Sequence, residues 1–258
     1  MDEIYVVGRN PVLELLKTNK EIDKIYILTG DLQGSIKKIV GMAKDRKIII
    51  QEVDKNKLDL MAGNNAHQGV AALVTGFKYS TIDDILNKAK NKGESPFVII
   101  LDGIEDPHNL GAIIRTAECA GVHGIIIPKR RAARVNQTVY KSSAGAVEHV
   151  LIADVVNISD TITRLKKEGL WIYGADMDGQ SYHFHTSLDG PMYTLDLTGP
   201  IGLVIGNEGK GISRIVKEKC DVLVKIPMVG KISSLNASAS AAILIYEVVR
   251  QNYDKKKK

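Results

Sequence analysis

Cysteine and long hydrophobic runs are what this sequence most clearly lacks. Only two of its 258 residues are cysteines, Cys119 and Cys220, and they lie far apart in the sequence. Two isolated thiols give no disulfide framework and no metal-ligand spacing. No stretch approaches the roughly 18–20 consecutive apolar residues of a membrane span, and the first ten residues, MDEIYVVGRN, have no basic region followed by an apolar core. The sequence therefore predicts a cytoplasmic protein without a metal site, a membrane span or a secretion signal.

A strong excess of one charge is also missing. The 35 lysines and arginines outnumber the 30 aspartates and glutamates only slightly, giving a formal net charge of +5. This charge allows nucleic acid as a partner without requiring it, and solubility alone explains it equally well. With 44% hydrophobic and 25% charged residues, the composition is that of an ordinary globular protein. The length fits one large domain or two small ones.

Two α/β segments are separated by a polar stretch. In residues 1–77, strand-like runs alternate with runs that have apolar residues at helical spacing, which predicts a small α/β domain. Residues 78–96 contain one short amphipathic helix followed by NKGESP, and we expect a linker there. In residues 97–258, apolar strands recur between helices, which favours a mostly parallel sheet covered on both faces. The predicted strands of this second domain are 97–104, 124–128, 149–155, 170–176, 201–207 and 221–227.

The segment DGIEDPHNLGAIIRTAECAGV (102–122) carries the first group of candidate site residues. Asp106 followed by Pro107 predicts the start of a helix, and Gly121 suits its end. Asn109 lies in the first turn, where it can act simply as a capping residue. Arg115 falls away from the apolar stripe of this helix, so a surface ion pair with Glu118, three residues on, is the simplest interpretation of it.

Two further segments combine glycine or hydroxyl groups with a strand end. LVIGNEGKGIS (203–213) is a glycine-rich turn that lets the backbone approach a ligand, although its glycine order matches neither a P-loop nor a dinucleotide fingerprint. Glu208 within it is unusual for a plain turn. In IPMVGKISSLNASASAAILIYE (226–247), Ser234, Asn236 and three other serines crowd the start of an apolar helix. They are good capping residues, yet they exceed what one cap needs, and a helix start is a frequent ligand site.

A basic loop follows the second strand of the larger domain. Its cations are Lys129, Arg130, Arg131 and Arg134, and Lys141 comes shortly after. Loops beyond the carboxyl ends of parallel strands are where α/β sheets bind ligands. The loop therefore favours an anionic partner such as RNA phosphate, with a solvated surface loop as the alternative.

Taken together, these motifs resemble those of a known enzyme family. The N-x-G-x-x-x-R pattern within 109–115, GNEGKGIS at 206–213 and IPMVGKISSLNASASAAI at 226–243 resemble the three motifs of the SPOUT methyltransferases, in the TrmH/RlmB branch. Residues 1–77 are similar to the RNA substrate-binding domain of the branch that methylates ribose 2′-oxygens, most closely the 23S rRNA guanosine enzymes. The resemblance covers nearly the whole chain. It implies a deep trefoil knot in the α/β domain of residues 97–258, which general topology rules would not suggest.

The resemblance also implies a cofactor, a reaction and roles for particular residues. S-adenosylmethionine would be held largely by backbone around Gly206, Ile226 and Leu235. The implied catalytic residues are Arg115, which acts on the ribose hydroxyl, and Asn109, Glu208, Ser234 and Asn236, which hold and line the site. Arginine stays charged in proteins, so we expect Arg115 to stabilise negative charge on the 2′-oxygen and to clamp a phosphate. The proton then leaves to Glu208, water or phosphate, three alternatives that the sequence leaves open.

The resemblance implies RNA and a second copy of the chain as partners. Large-subunit ribosomal RNA is the expected substrate, read by the front domain through Arg9 and the NNAHQG turn (64–69) and held by the basic loop. A tRNA substrate, a non-catalytic RNA-binding module associated with the ribosome and a nicotinamide oxidoreductase are the alternatives. The glycine order disfavours the last of these, and the presence of Asn109, Arg115, Glu208 and Asn236 disfavours a pure binder.

Overall fold

A computed structural model describes residues 4–18, 20–30, 33–63, 66–74, 76–181, 195–207, 209–231 and 234–255 of the chain. The predicted α/β class is confirmed. The chain divides into two compact units, of which the first comprises Met1–Lys78, Leu110–Arg115 and Arg134–His149, and the second comprises Tyr79–Asn109, Thr116–Ala133 and Val150–Lys258.

The first unit contains a four-stranded mixed sheet with the order β1-β4-β2-β3. Only β2 and β3 are parallel, while β4 runs antiparallel to both of its neighbours. The elements are β1 (Ile4–Val7), α1 (Arg9–Lys17), β2 (Ile22–Leu28), α2 (Ser35–Asp45), β3 (Ile49–Val53), α3 (Lys55–Ala62), β4 (Val70–Val74), α6 (Gln137–Ser142) and a 3₁₀ turn (Ala146–Glu148). β1 and α3 are elements that the periodicity of the sequence did not predict.

Residues 134–149 are an integral part of this first unit although they lie far along the chain. The Gln137 side chain donates to the carbonyls of Met61 and Ala62 at 2.9 and 3.1 Å, and so satisfies the last turn of α3. Lys20 lies 3.0 Å from Glu148 in a largely buried ion pair and also donates to the Tyr140 hydroxyl. Removal of either end of this pair would leave a buried charge without its partner.

The second unit is built on a six-stranded sheet with the order β10-β8-β9-β5-β6-β7, in which every pairing is parallel. This confirms the predicted parallel sheet. Its elements are α4 (Ile82–Lys92), β5 (Phe97–Asp102), α5 (Pro107–Cys119), β6 (Gly124–Pro128), β7 (Leu151–Val155), α7 (Ile158–Lys167), β8 (Trp171–Ser181), β9 (Ile201–Gly206), α8 (Arg214–Lys217), β10 (Val222–Lys225) and α9 (Ala237–Lys255). The middle of α5, Leu110–Arg115, groups with the first unit.

Helix α4, within the segment expected to be a linker, packs into the core of the second unit. It begins with a capping box between Thr81 and Asp84 and ends at Gly93 in the left-handed conformation. Ile85 is fully buried, and a Cβ built on Gly124 would lie 2.4 Å from its side chain. A glycine at position 124 therefore lets this helix approach the β6 strand closely.

Candidate functional site

Helix α5 begins as the sequence predicts. The Asp106 carboxylate accepts a hydrogen bond of 2.9 Å from the backbone N–H of His108, and Pro107 occupies the first turn. The predicted apolar stripe is buried and consists of Leu110, Ile113, Ile114 and Ala117. Gly121 has φ 71°, as expected for the residue that ends such a helix.

Gly111 in α5 permits close contact with the end of α6 within the first unit. A Cβ built on Gly111 would lie 1.8 Å from the Ser142 hydroxyl oxygen and 3.0 Å from the backbone nitrogen of Ser143. No side chain fits there, so the glycine of the N-x-G-x-x-x-R pattern has a packing reason of its own.

A side-chain hydrogen bond joins the first motif to the third within the second unit. Asn236 donates from Nδ2 to Oδ1 of Asn109 at 2.9 Å, and Asn109 is only 7% exposed. The Oδ1 atom of Asn236 also accepts from the backbone N–H and the hydroxyl of Ser238, at 2.9 and 2.6 Å. Asn236 is therefore the cap of α9 as well as the partner of Asn109. Two candidate residues 127 positions apart are brought together, and the capping interpretation of Asn236 is confirmed, while its role in a site stays a prediction.

Arg115 is exposed on α5. Within the described part of the chain its guanidinium makes no ion pair, so the surface pair with Glu118 is not observed. An exposed arginine without an acidic partner keeps its donors available for an anionic ligand.

The glycine-rich loop after β9 folds tightly on itself. Asn207 and Gly211 exchange backbone hydrogen bonds of 3.1 and 2.8 Å. A Cβ built on Gly206 would lie 2.2 Å from the carbonyl carbon of Gly211, so only glycine fits at position 206. Glu208, a candidate catalytic residue, lies outside the described residues, as do two residues of the NNAHQG turn.

Asn207 holds this loop and is a residue that sequence reasoning missed. Its Nδ2 donates to the carbonyl of Gly103 at 2.9 Å, and its Oδ1 accepts from the N–H of Gly209 at 2.9 Å. The Asp102 carboxylate accepts from the N–H of Ser213 at 2.7 Å, which fixes the far end of the loop. An asparagine between a strand and two glycines is a known signal for a turn stabilised by its side chain, and this signal was available in the sequence.

A cavity of about 720 Å³ lies in the second unit beside this loop. Four candidate residues line it: Gly206, Ile226, Ser234 and Leu235. They come from the glycine-rich loop and from the segment between β10 and α9. Asn109, Arg115 and Asn236 are not among its lining residues, although Ala237, next to Asn236, is. The structure therefore places all three predicted cofactor residues around one cavity.

The charges around this cavity were not predicted from the sequence. Its lining includes four lysines, Lys210, Lys217, Lys225 and Lys231, and one acidic residue, Asp176. The Asp176 side chain is 9% exposed and lies 2.8 Å from the ammonium of Lys217. Among its described residues, the cavity wall therefore contains one ion pair and three further lysines.

The candidate RNA-binding residues differ in exposure. Lys129, Arg130, Arg131 and Lys141 are exposed, and Arg131 has a positive φ of 56°. Arg134 is half-buried, with its Nη1 atom enclosed by protein. Arg9 is also half-buried and donates from Nε to the carbonyl of Gln68 at 2.9 Å, so it supports the turn that was predicted to read RNA.

The two thiols are in different surroundings. Cys119 is exposed, whereas burial raises the pKa of Cys220 to about 12, which makes that thiol a poor nucleophile. Among the described residues, no cluster of three or more histidine, cysteine or carboxylate side chains is arranged to hold a metal ion. No helix in the described ranges is both long and apolar enough to cross a membrane.

Comparison with protein families gives two matches. The model of the SpoU rRNA Methylase family matches residues 96–246, and the model described as RNA 2′-O ribose methyltransferase substrate binding matches residues 5–80. A Bacillus subtilis protein named as a TrmH family tRNA/rRNA methyltransferase, YacO, is 45% identical over 96% of this chain and 95% of its own length. A Staphylococcus aureus protein named as a TrmH family tRNA/rRNA methyltransferase is also 45% identical, over 98% of both chains.

Solved structures share the fold. The SpoU methyltransferase AviRb from Streptomyces viridochromogenes, in complex with AdoMet, superposes with a TM-score of 0.78 at 24% identity, over 98% of this chain and 91% of that one. An AdoMet-bound rRNA methyltransferase from Sinorhizobium meliloti gives a TM-score of 0.76 at 22% identity, over 96% and 87% of the two chains.

Proposed function

This chain belongs to the SpoU rRNA methylase family, and we propose that it methylates a ribose 2′-hydroxyl of RNA with S-adenosylmethionine as the methyl donor. The resemblance predicted from the three motifs is thus confirmed at the level of the family. The observation that carries the proposal is the cavity where Gly206, Ile226 and Leu235 meet, beside the bond between Asn109 and Asn236.

The cavity fits the proposed cofactor in size and chemistry. Its volume of about 720 Å³ lies in the range of small-molecule sites, roughly 300–1,000 Å³. The fold of the glycine-rich loop brings backbone, rather than side chains, to the cavity wall at Gly206 and Gly211. Backbone around Gly206, Ile226 and Leu235 would hold the cofactor. When bound, S-adenosylmethionine supplies a methyl group that its sulfonium has already activated.

The residues of this chain then have to position and activate the ribose hydroxyl. Arg115 would stabilise negative charge on the 2′-oxygen and bind an adjacent phosphate through its forked donors. The hydrogen bond between Asn109 and Asn236 joins the start of α5 to the start of α9, and Ser234 lines the cavity. Glu208 is one of three candidate proton acceptors, with water and the substrate phosphate. Correct placement of two reactants can contribute roughly 7–11 kcal/mol in favourable cases.

We propose a guanosine of 23S ribosomal RNA as the substrate, with residues 1–77 as the RNA-reading domain and residues 97–258 as the catalytic domain. The match of residues 5–80 to a substrate-binding family supports this division. Arg9, Arg134, Lys141 and the exposed loop residues 129–131 would contact RNA. Because the relatives are named for both tRNA and rRNA, methylation of tRNA is the second candidate. The trefoil knot that the resemblance implies stays a prediction.

Methyl transfer from labelled cofactor to purified RNA tests the proposal. Arg115→Ala should abolish transfer to 23S rRNA and leave the free energy of unfolding within about 0.5 kcal/mol, because the side chain is exposed. Arg115→Lys should also fail, since an ammonium cannot make the forked contact. Glu118→Ala is the matched control on the same helix and should remain active. Near-normal transfer by either Arg115 variant would refute the role of Arg115, and preferred labelling of tRNA would refute the substrate.

We also propose that the chain works as a homodimer, as its family resemblance implies. Helix α9 buries Ala241, Leu244, Ile245 and Val248, while Tyr246 and Tyr253 on the same helix are 49% and 59% exposed. Exposed aromatic side chains of this kind are typical of protein interfaces. Light scattering should give a mass near twice 28.2 kDa. An active protein with the mass of a single chain would contradict this.

A further inference from the structure

The lysines around the cavity are not explained by the cofactor. Lys210 comes from the glycine-rich loop, Lys225 from the end of β10 and Lys231 from the segment before α9, yet all three line one cavity. Among the described residues none of the three forms an ion pair, and Asp176 is already paired with Lys217. The described residues of the lining therefore have a formal charge of three positive, from four lysines and one aspartate.

Converging like charges are unfavourable unless an anion joins them. Lysines that line one cavity add to a common positive potential, which favours an anionic ligand there. S-adenosylmethionine relieves little of this potential. With a sulfonium, an ammonium and one carboxylate, it is itself a cation at neutral pH, so its net charge adds to that of the lysines.

RNA supplies the missing anions. Every ribose in an RNA chain is joined to phosphates on both sides, so a 2′-hydroxyl that reaches the cavity brings phosphates to its mouth. Lysine is a compact point charge on a flexible stem, which suits phosphate contacts that carry no sequence information. We infer that Lys210, Lys225 and Lys231, the lysine rim, bind the RNA phosphates next to the acceptor ribose. This inference rests on the proposed function and adds an RNA contact to the cofactor cavity itself.

A salt titration of RNA binding tests the inference. The variant in which Lys210, Lys225 and Lys231 are all replaced by glutamine is compared with the unaltered protein, using a short single-stranded RNA oligonucleotide and no cofactor. On single strands each phosphate contact contributes about 0.7 to the slope of the logarithm of the binding constant against the logarithm of salt concentration. Loss of three contacts should therefore reduce the slope by about 2 and weaken binding at low salt on the order of tenfold or more.

Two controls separate a local effect from a loss of charge or fold. Replacement of Lys90, Lys167 and Lys219 by glutamine removes the same charge from exposed positions of the second unit that do not line the cavity, and the slope should change by much less. Replacement of the three rim lysines by arginine keeps the charge and should keep the slope. Thermal unfolding of each variant shows whether the fold is intact.

Cofactor binding tests the competing explanation, in which the three lysines bind S-adenosylmethionine rather than RNA. Calorimetry with S-adenosylmethionine should give nearly the same affinity for the glutamine variant of the rim and for the unaltered protein. A salt slope equal to that of the unaltered protein, or to that of the control variant, would overturn the inference. The proposed function fails separately, if the unaltered protein transfers no methyl group to RNA, because the salt slope is measured without methyl transfer.

Discussion

At the scale of single residues, His123 links pH to stability. It is 3% exposed, its Nδ1 accepts from the backbone N–H of Phe97 at 3.0 Å, and its Nε2 lies 3.1 Å from Glu94. The accepted hydrogen bond fixes the tautomer with the proton on Nε2. Burial, helped by the charges of Lys92 and Lys88, lowers the pKa of His123, and Glu94 opposes this shift without reversing it.

The direction of this shift determines the pH at which stability is lost. Because the folded protein favours neutral His123, the unfolded chain takes up the proton more readily as the pH falls. The free energy of unfolding should therefore be fully retained above the unfolded-state pKa, about 6.5, and should decrease as the pH drops below it.

Urea titrations between pH 7.5 and 5 measure this dependence. His123→Gln should flatten the profile, whereas His108→Gln, at an exposed position, should leave it as in the unaltered protein. The assignment to His123 is wrong if the His123 variant loses as much stability on acidification as the unaltered protein.

Individual residues of the candidate site could be named from the sequence, but their hydrogen-bond partners could not. Asn109, Ser234 and Asn236 were identified from short motifs. The hydrogen bond between Asn236 and Asn109 joins residues 127 positions apart, and local patterns contain no information on such pairs. The four lysines of the cavity come from the glycine-rich loop, the end of α8, the end of β10 and the segment before α9, so the linear sequence did not show that they line one cavity.

At the scale of elements, the glycine-rich loop depends on Gly206. A methyl group at this position would overlap the backbone at Gly211, and backbone cannot move aside as a flexible side chain can. Gly206→Ala should therefore displace the loop, destabilise the fold by about 1–3 kcal/mol and reduce cofactor affinity strongly. Calorimetry with S-adenosylmethionine and urea unfolding are the measurements.

Gly230 provides the matched control for this substitution. It also lines the cavity, and a Cβ built there meets no atom of the described residues within 4 Å. Gly230→Ala should retain stability and most of the cofactor affinity. If the two alanine variants behave alike, close backbone packing at Gly206 is not what the loop requires.

Regular elements with strong periodicity were predicted well, and weak ones were missed. β6 has the predicted bounds, residues 124–128, because it has a clear apolar pattern. β1 has only four residues, and α3, KNKLDLMA, buries only Leu58 and Ala62. α3 nevertheless forms, because Asp54 caps it and Gln137 satisfies its last carbonyls. One of these two contributions comes from 75 residues further along the chain.

At the scale of the whole molecule, the order of strands in the large sheet could not be predicted. Strong alternation of strands and helices indicated a parallel sheet, but it does not state which strands are neighbours. β9 lies between β8 and β5, and β10 is at the edge. The end of β9 therefore lies beside the end of β5, where Asn207 reaches Gly103 and the glycine-rich loop is fixed.

The first unit includes residues 134–149, and this affects how chimeric proteins can be made from members of the family. A boundary drawn from the sequence near residue 77 suggests a module that can be exchanged between relatives to change which RNA is read. Gln137, Tyr140 and Glu148 nevertheless complete the interior of this module. In a chimera joined at residue 77, residues 1–77 would come from one relative and α6 from another. We expect that an exchange of the first unit has to include residues 134–149 together with residues 1–77.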